Sequence, residues 1–129
     1  MSKLKCNCGY IIADQAYSLS YKADFLPDSS REDLWNKIVQ TLKSFNEAKD
    51  KGKKKEWMNK NFSVPPYPTD LPDHEMVWDL IHNSFNELTR AIYQCESCGR
   101  IWIQQGRTEN FISFVPETND WKGILNSTK

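Results

Sequence analysis

The residues with the most chemistry to offer are four cysteines, set as two short pairs near the two ends of the chain: Cys6 and Cys8 in CNCG, Cys95 and Cys98 in CESCG. A glycine follows each pair at once, Gly9 and Gly99. A turn that points two sulfurs inward drives the backbone to positive φ, which glycine adopts without a Cβ clash. Such a turn also brings backbone N–H donors over the sulfurs. Two thiolate pairs on tight turns can close a tetrahedral site around Zn²⁺, whose four Zn–S bonds of about 2.3 Å need no further ligand. The expectation is a structural zinc held by Cys6, Cys8, Cys95 and Cys98. Four thiolates leave no open position for water or substrate, so the metal would not be catalytic.

Two other uses of the cysteines are weighed beside this one. A redox CxxC opens a helix after a strand, whereas CESC runs into Arg100, Ile101, Trp102 and Ile103, a strand-like segment. Structural disulfides suit a secreted chain, but the first twenty residues carry Lys3, Lys5 and Asp14 and no apolar run of signal-peptide length. The chain is therefore expected to be cytoplasmic, with its thiols reduced. The paired motifs Cys6, Cys8, Gly9 and Cys95, Cys98, Gly99 resemble those of zinc ribbons, in which two knuckles on β-hairpins share one metal. The second pair has the usual spacing and the first has one residue between its cysteines. Between the pairs lie 86 residues, so most of the chain is insertion relative to that family.

The elements that must position the cysteines can be read from periodicity. Leu19, Tyr21, Ala23 and Phe25 alternate with polar neighbours, a period of two that predicts a half-buried strand ending at Pro27. Ser29 with Glu32, or Ser30 with Asp33, offers a capping-box helix start. Leu34, Trp35, Ile38, Val39, Leu42 and Phe45 then recur at helical spacing. Residues 46–60 lose that spacing and contain Gly52, and Pro65, Pro66, Pro68 and Pro72 follow, so a mobile linker is predicted over residues 47–72. A second helix begins near Asp70 to Asp73 with the stripe Met76, Val77, Leu80, Ile81, Ser84, Phe85 and Leu88. Strands return at residues 91–94, 100–103 and 111–115, with a turn at Gly106.

The predicted fold is therefore α+β and a single domain over residues 1–129. A small antiparallel, zinc-ribbon-like sheet forms from residues 1–27 and 91–115. A two-helix insertion over residues 28–90 packs on one of its faces, and residues 116–129 form a tail. With 39% apolar and 12% aromatic residues the composition is that of a globular chain. No apolar stretch approaches the roughly 20 residues of a membrane span. Seventeen basic residues balance seventeen acidic ones. Yet residues 47–60 carry six lysines against three acids, while residues 61–90 carry five acids against Arg90.

No catalytic motif emerges, and the chain is read as a non-enzyme. His74 and Glu75 begin like a zinc-protease helix, but position 78 is Trp where that motif needs His. Two surfaces remain. The acidic second helix sets Asp79, His82, Asn86 and Glu87 away from its core stripe, with Trp78 at the edge, a combination that suits a protein partner. The alternative is nucleic acid, bound by Lys53, Lys54 and Lys55 with Trp57 stacking on a base. The CxCG start and CxxCGR end also resemble those of small bacterial zinc-ribbon proteins with a variable helical middle. Some of these are immunity proteins, and the resemblance implies neutralisation of a secreted toxin.

Overall fold

A computed structural model describes residues 3–62 and 71–127. The fold is α+β, with two small antiparallel sheets and three α-helices among the described residues. The chain divides into two compact units, Met1–Leu26 with Thr89–Lys129, and Pro27–Leu88. Among the described residues no helix is long and apolar enough to cross a membrane.

Among the described residues the strands all lie in the first unit. Strands β1 (Lys3–Lys5) and β2 (Ile11–Ala13) form a two-stranded hairpin. Strands β3 (Lys22–Phe25), β4 (Arg90–Gln94), β5 (Ile101–Gln104) and β6 (Phe111–Phe114) form a separate four-stranded sheet in that order. The sequence pointed to one sheet; two arise because β3 spends its outer edge on no strand of the β1–β2 hairpin. The expected strand from residue 19 is shorter, since Ser18 takes φ 57° and the chain turns there before Lys22.

Cross-strand register fixes which side chains share a face. Tyr93 faces Lys22 on one side and Trp102 on the other, and Trp102 faces Ser113. Tyr93 and Trp102 are buried with Cys6, Ile12 and Cys95, and Leu4, Tyr21, Ala91, Cys98 and Phe111 pack around them. The core of this unit is thus built directly on two of the cysteines. A polar cluster closes its margin, where Asp14 accepts hydrogen bonds from Lys22 (2.7 Å) and from the Tyr93 hydroxyl. Burial would raise the Asp14 pKa, but Lys22 and Tyr93 outweigh it and hold the carboxyl below its usual range. Burial, reinforced by the Asp14 carboxylate, pushes the Tyr93 phenol well above its ordinary value.

The second unit is helical. A single 3-10 turn over Asp28–Ser30 leads into α1 (Arg31–Asp50), and Ser30 occupies the N-cap position without a side-chain capping bond. The chain ends α1 with a Schellman motif: Lys53 N–H donates to Ala48 C=O, Gly52 N–H donates to Lys49 C=O, and Gly52 sits at φ 69°. The next residues, placed by sequence in a linker over residues 47–72, form α2 (Lys54–Asn61). Residues 63–70 of that proline-rich stretch lie outside the described residues. Helix α3 (Asp73–Leu88) follows. Phe45, Trp57, Met58 and Met76 form the buried centre of the unit, drawing one or two residues from each helix. Helices α1 and α3 run antiparallel, as the ion pairs of Lys37 with Glu87 and Lys49 with Asp73 require.

Candidate metal centre

The loop between β1 and β2 carries Cys6 and Cys8, and the loop between β4 and β5 carries Cys95 and Cys98. The two loops are built alike. Gly9 N–H donates to Cys6 C=O at 2.9 Å and Cys6 N–H to Tyr10 C=O at 2.8 Å. In the other, Gly99 N–H donates to Cys95 C=O at 2.8 Å and Cys95 N–H to Arg100 C=O at 2.9 Å. The glycines take φ 96° and 82°, the left-handed backbone that turns each loop back over its sulfurs.

The four Sγ atoms all lie within 4.8 Å of one another. Each knuckle meets the other crosswise, Cys6 with Cys98 and Cys8 with Cys95, both at 3.6 Å. A disulfide would need about 2.05 Å, and all four cysteines are free. A tetrahedral ion with bonds of about 2.3 Å sets its sulfurs about 3.8 Å apart, so a metal fits this cluster where a disulfide does not. Cys6 and Cys95 are buried, Cys98 is half-buried and Cys8 is exposed, so the centre lies at the edge of the core.

The surroundings supply donors to the sulfurs. The Trp102 indole N–H points to Cys6 Sγ at 3.4 Å and the Arg100 guanidinium to Cys98 Sγ at 3.2 Å. Backbone amides of Cys8, of Ser97 and Cys98, and of Arg100 reach Cys6, Cys95 and Cys98 respectively. Burial disfavours the thiolates of Cys6, Cys95 and Cys98, yet at Cys98 the Arg100 amide and guanidinium prevail and bring its pKa to about 6. At Cys6 burial is likewise outweighed by the Cys8 amide and the Trp102 indole, and its pKa is lowered. At Cys95 burial, reinforced by the neighbouring Cys8 and Cys6 sulfurs, outweighs the Cys98 and Ser97 amides and pushes the thiol up to about 12. Four sulfurs this close cannot all ionise unless a cation sits among them, and a bound metal supplies that charge.

A family model described as Domain of unknown function (DUF8617) matches residues 2–118. The chain belongs to this family. No curated protein and no solved structure matches it.

The other residues that the sequence singled out in the DUF8617 chain are placed as follows. Trp78 is 62% exposed and stacks on His82, with ring centroids 4.6 Å apart and planes 12° from parallel. Asp79 is half-buried, Asn86 is exposed, and Glu87 is engaged by Lys37 across the helix pair. Trp57 differs from expectation: it is 7% exposed, lies edge-on to Phe45 and Phe62, and donates its indole N–H to Ser44 Oγ at 2.8 Å. Its ring is spent on the core and has no face to offer a base. Lys53 and Lys55 are exposed, while Lys54 is tied to Asp73 and to the Leu71 carbonyl.

Sequence reasoning also placed in the core four residues that the structure leaves largely open: Trp35 (54%), Val39 (58%), Ile81 (43%) and Phe85 (39%). Ser44, which touches α2, lies nine residues and thus half a turn around α1 from Trp35. Trp35 therefore faces away from α2. The apolar residues of α1 and α3 are offset from their buried stripes in the same rotational sense, and antiparallel pairing puts both offsets on one side. Trp35 and Val39 with Trp78, Ile81 and Phe85 thus form one apolar strip.

Proposed function

We propose that the DUF8617 chain is a non-enzymatic protein-binding module whose strand unit is held by a structural zinc. The observation that carries the binding role is the strip of Trp35, Val39, Trp78, Ile81 and Phe85 on the helical unit. Soluble domains rarely leave several large apolar side chains together in water without a use, and an aromatic-rich centre with a polar margin is the pattern of binding hot spots. Trp78, Asp79, His82, Asn86 and Glu87 contribute the aromatic edge and the polar margin. Zinc is favoured among soft divalent ions because four thiolates in a closed tetrahedron suit a metal without redox chemistry.

The specific role we assign is immunity, in which the module covers the working surface of a bacterial toxin in the cytoplasm. Support comes from the CxCG and CxxCGR ends and from the acidic character of α3, which suits a basic target. The nucleic-acid reading is weaker, since Trp57 is withdrawn into the core and leaves lysines without a stacking residue.

The test has two arms. Elemental analysis of purified protein is expected to give one zinc per chain, and iron in its place would correct the metal. Trp78→Asp with Phe85→Asp is expected to release the partner captured by the unaltered protein and to abolish protection of cells expressing a toxin encoded beside it. Retention of both by a folded variant refutes the binding surface.

A further inference from the structure

We propose that β6 is a self-pairing edge, through which two copies of this chain join their four-stranded sheets into one antiparallel sheet. Strand β6 ends the sheet, and among the described residues no strand pairs with its outer side. The direction of its backbone groups follows from the hairpin. Gln105 N–H donates to Asn110 C=O at 2.8 Å, which makes residues 105 and 110 a hydrogen-bonded pair. Pairs alternate along an antiparallel ladder, so Ile112 and Phe114 bond inward to Ile103 and Ile101. Phe111, Ser113 and Val115 therefore turn their N–H and C=O groups outward.

The two edges of this sheet are treated differently by the sequence. On β3 the outward backbone belongs to Lys22 and Asp24, and charged side chains of this kind deter strand pairing. On β6 the run Phe111, Ile112, Ser113, Phe114, Val115 carries no charge and no proline. Ile112 (46%), Phe114 (55%) and Val115 (66%) are also exposed. Pro116 has no N–H, but by the same alternation its missing donor falls on the inner side.

The side chains of β6 suit a second copy of the same strand. An antiparallel strand centred on Ser113 satisfies all three outward residues, and a second β6 does so with matching side chains. Ser113 then pairs with Ser113 of the second copy, and Phe111 with its Val115. On the opposite face Ile112 meets Phe114 of the second copy in the closer, non-hydrogen-bonded position. Aromatic with β-branched pairs are among the favourable cross-strand combinations. Glu109 and Glu117 flank the strand and are brought toward each other at its ends, so the association is measured in salt that screens them.

Sedimentation equilibrium on the full metal-loaded chain is expected to show a monomer–dimer equilibrium. Ser113→Pro removes an outward donor while sparing the bonds to β5, and Phe114→Lys places a charge against Ile112 of the second copy. Each is expected to weaken dimerisation by roughly tenfold or more, with metal content unchanged as the check on folding. In a mixture of isotope-labelled and unlabelled chains, contacts between Ile112 and Phe114 across subunits are expected. A chain that stays monomeric to about 1 mM, or a dimer that both variants leave intact, overturns the proposal. Pairing of this edge with a strand of some other protein in a monomeric chain overturns it as well.

Discussion

Gly9 and Gly99 occupy equivalent turns, yet alanine should cost far more at one than at the other. Both backbones are left-handed, at φ 96° and 82°. An L-residue in that region costs about 1–2 kcal/mol, and Gly9→Ala should lose about that much, because nothing lies within 4 Å of the position its Cβ would take. At Gly99 the new Cβ would overlap the Trp121 ring. That ring lies on the knuckle, and Gln94, itself buried, donates to the Trp121 carbonyl at 2.8 Å. Displacing a packed ring by overfilling costs about 1–3 kcal/mol more. Urea unfolding at a fixed excess of metal, followed by tryptophan fluorescence, measures both variants against the parent protein. In a Trp121→Ala background the excess at Gly99 should disappear, leaving the backbone cost alone. Equal losses at the two glycines, or an excess that survives removal of Trp121, would refute this reasoning.

Further outcomes are expected. Cys95→Ser should lower metal content below one per chain and abolish the near-ultraviolet signal of Trp102, whose indole bonds to Cys6; an unchanged signal would show that the core does not depend on the metal. Asp14→Ala should cost about 1.5–3 kcal/mol, since charged hydrogen bonds from Lys22 and Tyr93 are lost together. Because the Asp14 pKa is lowered on folding, its contribution is complete above the unfolded value of about 3.9 and fades as pH falls through the folded one. The raised Tyr93 phenol acts with the opposite sign, so stability should also fall as pH rises past its unfolded value of about 10; denaturation midpoints across pH check both limbs. Trp57→Ala should destabilise by about 3–5 kcal/mol, measured by urea, as a buried ring in contact with Phe45 and Phe62 requires.

The four-cysteine cluster was legible because cysteine spacing and the following glycine are local signals, and the fold had only to bring two such turns together. Strands β4, β5 and β6 were legible for a similar reason, being short apolar runs between clear turn residues. Helix α2 was not. Its sequence, KKEWMNKN, is dominated by lysine and asparagine, and the two residues that anchor it, Trp57 and Met58, are adjacent and show no period. What makes it a helix is the cavity that Phe45, Met76 and Phe62 offer to those two side chains, a tertiary cause that no window of sequence displays. The exposed strip failed in the other direction. Trp35, Val39, Ile81 and Phe85 have the spacing of core residues, and periodicity counts apolar positions without knowing how many partners exist to cover them.

The pairing of Phe25 with Arg90 has a consequence for how such a chain can change. The last residue of β3 and the first of β4 are direct neighbours in the sheet, so everything from Pro27 to Leu88 is, topologically, one oversized hairpin loop. The cost of closing a loop rises only with the logarithm of its length, about 0.6 kcal/mol per doubling. Lengthening, shortening or exchanging these helices therefore taxes the strand unit little. A version with a two-residue turn joining Phe25 to Arg90 should remain a foldable miniature, and helices from another member of the family should be transplantable at the same two positions. The architecture thus lets the helical segment change while the strands that carry the cysteines keep their pairing.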